Sequence, residues 1–171
     1  MKKYEFTGET KEIRLLFRTA TLHRIRATVA FGIVEVGDLG GWIEKEENLS
    51  HEGKAWVWGN AEVCGDAKVW GNAEVCGDAE VWGNAKVFSA SHVLVIGAIG
   101  SRNDFTTFYR DKDNEITVKC GCFLGKIDRF LEKVTQTHGD SKYALVYRAA
   151  VEVAKLQIDL SGEAPKDADE E

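Results

Sequence analysis

At 171 residues and 44% hydrophobic, the chain is long enough for one folded body with small appended subdomains and rich enough in apolar residues to bury a core. Its net charge of −6 is uneven: residues 161–171 hold Glu163, Asp167, Asp169, Glu170 and Glu171 against Lys166, −4 in all, so about −2 is left for the rest, which excludes a uniformly acidic nucleic-acid mimic and a generally polyanion-binding body. No stretch approaches the ~20 apolar residues of a membrane-spanning helix, and four cysteines without a leader-like apolar run after Met1-Lys2-Lys3 point to a reducing, cytoplasmic setting.

Residues 1–36 read as an N-terminal β segment. His23, Ile25, Ala27, Val29 and Phe31 alternate with Arg24, Arg26 and Thr28, the period of a strand. Lys11, Arg14, Arg18, Arg24 and Arg26 face only Glu12 in the same stretch. A phosphate-bearing partner could use that cluster, but the plainer reading is a solvated strand face paired with acids from elsewhere.

From residue 55 to 90 the chain runs A-W-V-W-G-N, A-E-V-C-G-D, A-K-V-W-G-N, A-E-V-C-G-D, A-E-V-W-G-N, A-K-V-F-S-A, a six-residue repeat. Periods this short mark stacked β architectures. Alanine and valine, two apart, point inward as strand alternation requires, and Gly-Asn or Gly-Asp turns the corner. Those four positions are spent on structure. The pattern resembles the left-handed β-helix family, whose geometry of three hexapeptides per coil implies that residues 18 apart stack, so the leftover outward residues would sort into three faces: Trp56, Trp58, Cys76, His92 and Leu94; Glu62, Cys64, Glu80 and Trp82; Lys68, Trp70, Lys86 and Phe88. Outward tryptophans mark surfaces that are covered or that interact, so at least one face is expected to be an oligomer interface and another to be covered by the terminal segments.

The A-x-V-x-G-[ND] pattern resembles the hexapeptide-repeat, left-handed β-helix family. The resemblance implies a mainly β fold: a short left-handed parallel β-helix over 37–108, with coils 37–54, 55–72, 73–90 and 91–108. In that register Leu39 takes a core position, and Lys45 and His51 stand where valines are expected.

Gly97 to Asp104 carries glycines and polar groups suited to an anion-binding backbone nest, with Arg102, Asn103 and Asp104 in reach, although a plain loop serves equally well. Residues 109–160 are expected to form a subdomain of a β-hairpin turning at Asp111–Asn114 and two helices. The first covers 126–138, with Ile127, Phe130, Leu131 and Val134 on one stripe. The second carries Tyr143, Val146, Tyr147, Ala150, Val153 and Ala154. Cys120-Gly-Cys122 is a weak half-site for metal, and no metal or other cofactor is expected. Residues 161–171 read as a disordered acidic tail.

Relatives of this family include acyltransferases that use coenzyme A, and that reading would make His51 or His92 the base. Neither histidine has an orienting acid at a readable spacing. The opening Y-E-F-T-G-E-T, the G-D-L-G-G-W-I-E-K-E-E-N-L-S stretch and I-G-S-R-N-D look like small hexapeptide-repeat proteins of bacteriophages. That resemblance favours a non-catalytic, oligomeric binding protein, a dimer or trimer, in the cytoplasm of a bacterial host. It would engage a host defence effector or sequester a nucleotide signal, with no membrane partner and no direct nucleic-acid binding. The residues expected at the ligand or interface are Trp58, Trp70, Trp82, Phe88, Arg102, Asn103, Asp104 and Arg110, because aromatic rings stack bases and arginine holds phosphate. A purely structural assembly protein is a third reading.

Overall fold

The computed structural model describes residues 1–15 and 17–162. The expected mainly β class with a left-handed β-helix is corrected: the fold is mixed, 40% strand and 21% helix, in several small antiparallel and mixed sheets with two helices. The physical reason lies in strand length. The repeats give strands of two residues each, β4 (Trp56–Val57), β5 (Glu62–Val63), β6 (Lys68–Val69), β7 (Glu74–Val75), β8 (Glu80–Val81) and β9 (Lys86–Val87). The long strands lie outside them and pair antiparallel: β1 (Tyr4–Arg14) with β2 (Thr19–Ala27), and β10 (Val93–Ile99) with β11 (Asp104–Arg110).

Within the repeats each strand pairs in parallel with the one 18 residues on: Val57 with Val75, Val63 with Val81, and Val69 with Val87. The inward alanines and valines form the main core, none more than 1% exposed. The corner glycines are obligatory where turns stack. Gly53 has φ +67°, and a Cβ there would come within 2.6 Å of the Gly71 carbonyl oxygen.

The first turn does not keep the 18-residue count. β3 (Leu39–Ile43) pairs parallel to β5 with Trp42 against Glu62, Ile43 against Val63, and Leu49 bridges Val69, all 20 residues apart. Ile43 and Leu49 therefore fill the core positions that the simple count gave to Lys45 and His51, and Leu39 is 46% exposed. Both buried residues are better core residues than those they replace, so burial sets the register.

The expected fourth turn over 91–108 is also absent. After Val87 a short 3₁₀ turn, Ala90–His92, is capped by Ser89, whose side chain accepts from Ser91 N–H. The following Val93-Leu-Val-Ile has no Asn or Asp corner and extends as one strand. A four-stranded sheet follows, in the order β10-β11-β12-β13, with β12 (Ile116–Cys120) and β13 (Phe123–Lys126). The hairpin turn falls as expected, with Arg110 opposite Ile116 across Asp111–Asn114.

Helices α1 (Ile127–His138) and α2 (Lys142–Gln157) pack on that sheet around a second core of Phe108, Val118, Phe130, Val134, Tyr147 and Val151. Gly139, at φ +57°, ends α1. The buried stripe of α2 is rotated from the expected one: Ala144 and Val151 are buried, while Tyr143 and Val153 are 44% and 47% exposed. Ser141 starts α2 without a side-chain cap bond. No helix among the described residues is long and apolar enough to cross a membrane. The expected disordered tail lies, from residue 163, outside the described residues.

Candidate ligand-binding groove

The tip of the β1–β2 hairpin overhangs the edge of the four-stranded sheet, and between them opens a groove of about 890 Å³. Three parts of the fold build it: the hairpin tip supplies Arg14, Leu15, Phe17 and Arg18; the repeat corners supply Cys64, Gly65, Trp82 and Gly83; β12 and β13 supply Lys119 and Lys126. The hairpin reaches this position because Leu22 on its inner side buries against Cys64 and Trp82, with Ile13, Leu15 and Trp42 around them.

Trp82 forms the floor, 9% exposed. Its carbonyl accepts from the Tyr109 hydroxyl at 2.6 Å, and the ammonium of Lys119 lies 4.0 Å from its ring centroid. Lys119 is buried, ion-paired with Glu80 at 2.7 Å, and donates to the Gly121 carbonyl. The indole N–H of Trp82 is buried and meets no acceptor among the described residues. Burial pushes the Cys64 thiol far up from its usual range, so it stays protonated and apolar in the wall.

Four cations line the groove against one acid, Asp66. Arg18 is held by Glu44 at 2.8 Å, and that bond, with the Gly65 N–H, holds the Glu44 carboxyl below its usual range against the pull of burial. Lys126 is held by Asp111, Asp113 and Glu115. Arg14 has no ion-pair partner among the described residues and stands exposed at the rim. The rest of the basic cluster is paired, Lys11 with Glu62, Arg24 with Glu9, and Arg26 with Glu5.

The residues expected at the site are divided among four places. Trp82 alone lies in the groove. Trp70, Phe88 and Arg110 come together elsewhere, joined by His92: Trp70 and Phe88 are 5.0 Å apart, and Arg110 lies 4.9 Å over Phe88. This cluster is closed from within. Arg110 is 5% exposed and donates to the carbonyls of Ser161 and Gly162, which lie over it. Trp58 lines a separate concavity with Phe31 and Trp56. Arg102, Asn103 and Asp104 sit exposed in the β10–β11 turn, where Asp104 accepts from its neighbour Phe105. A Cβ at Gly100 in that turn would overlap the Tyr147 hydroxyl, so packing accounts for that glycine. The Cys-x-Cys pair diverges: Cys120 packs in the second core and accepts from Thr106, while Cys122 faces the groove.

The two histidines considered as bases are both structural. His51 stacks on Tyr4 at 4.3 Å, and its Nδ1 accepts from the Lys3 N–H. His92 is 2% exposed, with Nδ1 facing the Phe88 N–H and Nε2 facing Arg110. Burial, then the Arg110 charge, lowers the pKa of His92; burial also lowers that of His51. Neither lines the groove.

Lys119, Lys126 and Tyr109 were not among the expected site residues, while Arg14 and Arg18 belong to the basic cluster whose plainer reading was a solvated strand face. A signal was available for Lys119: it follows Ile116-Thr-Val118 in a strand, placing a lysine among residues bound for burial. No protein-family model matches the chain, and no curated protein is similar to it.

Proposed function

We propose that this chain is a non-catalytic binding protein that sequesters a small anionic molecule with a flat ring, of nucleotide type, in the groove between the hairpin tip and the sheet. The observation that carries this reading is an indole floor, Trp82, in the same groove as a rim cation, Arg14, that is exposed and has no partner acid among the described residues. Such a groove offers apolar wall to a ring and positive charge to its phosphate. Sequestration is favoured over turnover because His51 and His92 are committed to packing and lie off the groove. A phage-type role against a host nucleotide signal fits this chemistry and the resemblance of the segments that flank the repeat. The reading includes a homo-oligomer, because Leu145, Val153 and Leu156 leave an apolar stripe on the outward side of α2.

The test is calorimetric titration with mononucleotides, cyclic nucleotides and acetyl-coenzyme A, at two salt concentrations. Nucleotide binding that weakens with salt, falls about ten-fold in Arg14→Glu and leaves acetyl-coenzyme A unbound is expected. No nucleotide binding, or acyl transfer from acetyl-coenzyme A that is lost in His51→Ala or His92→Ala, overturns the proposal. Sedimentation of the wild type alongside Leu156→Glu reads the oligomer separately, and a monomeric wild type removes that part.

A further inference from the structure

Apart from the groove and sharing none of its lining residues, a second concavity carries a different chemistry. Three aromatic rings define it. Phe31, just after β2, meets Trp56 of β4 at 5.4 Å between centroids and 70° between planes; Trp56 meets Trp58 at 6.5 Å and 84°. Successive near-perpendicular contacts turn the rings around a common hollow of about 300 Å³. That volume is at the lower end of the ~300–1,000 Å³ of small-molecule sites. Trp56 is fully buried and anchors the wall, while Trp58 is half-buried and presents ring surface to the hollow.

Two charges stand at its rim, Lys54 and Glu74. Both are exposed, and neither has an ion-pair partner or a side-chain hydrogen bond among the described residues, so they do not neutralise each other. The parallel pairing of Trp56 with Glu74 fixes the carboxylate beside the indole wall. The aromatic surface already accepts one cation: the Lys3 ammonium lies 4.9 Å from the Phe31 centroid, held by the carbonyls of Ala55 and Glu52. With Lys3 on Phe31, the indole of Trp58 and the Glu74 carboxylate remain for a cation from outside.

We propose that this hollow binds a small zwitterion, with its methylated ammonium against Trp58 and Glu74 and its anionic end on Lys54. A methylated ammonium is the cation that aromatic cages select, because it is large, weakly hydrated and unable to spend its charge on hydrogen bonds. A bare anion would be repelled by Glu74, and a bare cation by Lys54. Only a ligand with both charges uses all of the lining. The site is independent of the nucleotide groove, which lies on other elements.

Titration by calorimetry and tryptophan fluorescence, with phosphocholine, phosphoethanolamine and choline as probes, tests the assignment. Phosphocholine is expected to bind, phosphoethanolamine to bind about ten-fold more weakly for want of the methyl groups, and Glu74→Gln and Trp58→Ala each to cost about ten-fold. Lys54→Gln should weaken phosphocholine and leave choline unchanged or tighter, while Arg14→Glu changes nothing. Glu74 and Lys54 are exposed, so both variants keep the fold even if Trp58→Ala does not. No binding at millimolar phosphocholine, equal affinity for phosphoethanolamine, or affinity unchanged in Glu74→Gln overturns the proposal.

Discussion

Asp111 is the residue that ties the turn between β11 and β12 to Lys126 at the edge of the groove, and Asp111→Ala is the sharpest test of that joint. Its side chain is buried and accepts four bonds: from the Thr117 hydroxyl and Lys126 ammonium at 2.6 Å each, and from the N–H groups of Asp113 at 2.9 Å and Glu115 at 3.2 Å. Burial alone would raise its carboxyl pKa; those donors outweigh it and hold the group below its usual value. Alanine leaves Thr117, 6% exposed, without its acceptor. A bond to a charged acceptor contributes roughly 1.5–3 kcal/mol, and the turn N–H groups and Lys126 recover part of theirs from water, so the loss is about 3 kcal/mol. For a chain of this size that lowers Tm by about 6–12 °C. Asn keeps the shape and some acceptor capacity and should cost about half as much. Urea unfolding monitored by circular dichroism measures both variants. The sign with pH follows from linkage: a depressed carboxyl stabilises above its unfolded pKa and loses that contribution as pH falls through the folded value. The gap between wild type and Asp111→Ala should therefore close below about pH 4. A loss under about 1 kcal/mol at neutral pH, or a gap as wide at pH 3, refutes the network as the joint.

Two further outcomes test the main core. Burial lowers Lys3 to a pKa of about 8, so the folded chain sheds that proton before the unfolded chain does, and stability rises as pH climbs from about 8. Cys64 and Tyr4 are shifted upward by burial, so they ionise first in the unfolded chain and reverse the trend above about pH 9. Denaturant midpoints between pH 7 and 10.5 should pass through a maximum in wild type and only decline in Lys3→Met; a maximum that survives in Lys3→Met contradicts the assignment. Gly53→Ala sets a Cβ against the Gly71 carbonyl at a positive φ and should cost about 2–3 kcal/mol by urea unfolding, with a cost under about 0.5 kcal/mol showing that the stacked corner yields freely.

What the sequence made legible was periodic and local. The inward alanines and valines, the corner glycines, the turn at Asp111 and the stripe of α1 stand where spacing puts them, because each is set by strand alternation, a positive φ or a 3.6-residue stripe, whereas the stripe of α2 is rotated. The errors arose where periodicity was extended past the residues that carry it. Counting back 18 residues missed the two extra residues that bring Ile43 and Leu49 into the core, and counting forward missed the 3₁₀ turn at Ala90–His92, after which β10 pairs antiparallel with β11. A repeat count assigns position without asking which neighbour is the better hydrophobe, and burial decides in favour of the latter.

The outward tryptophans show the same logic acting on function. Outward from the repeat does not mean outward from the molecule: Trp56 is covered by Tyr4 and Phe31, Trp82 by Leu22, and Trp70 by Phe88 and its surroundings. The N-terminal segment folds back onto two walls and Phe88 of the repeats closes on Trp70, which uses most of the aromatic surface that seemed available for partners. The two proposed sites lie at the edges of that cover, where it stops short. At one edge the hairpin tip brings Arg14 into the groove that Trp82 lines; at another the loop after β2 lines a hollow with Trp58 and Glu74. One edge is cationic over an indole, the other zwitterionic around three rings, so the two hollows should discriminate ligands by charge pattern although both are built on the same repeated tryptophan position.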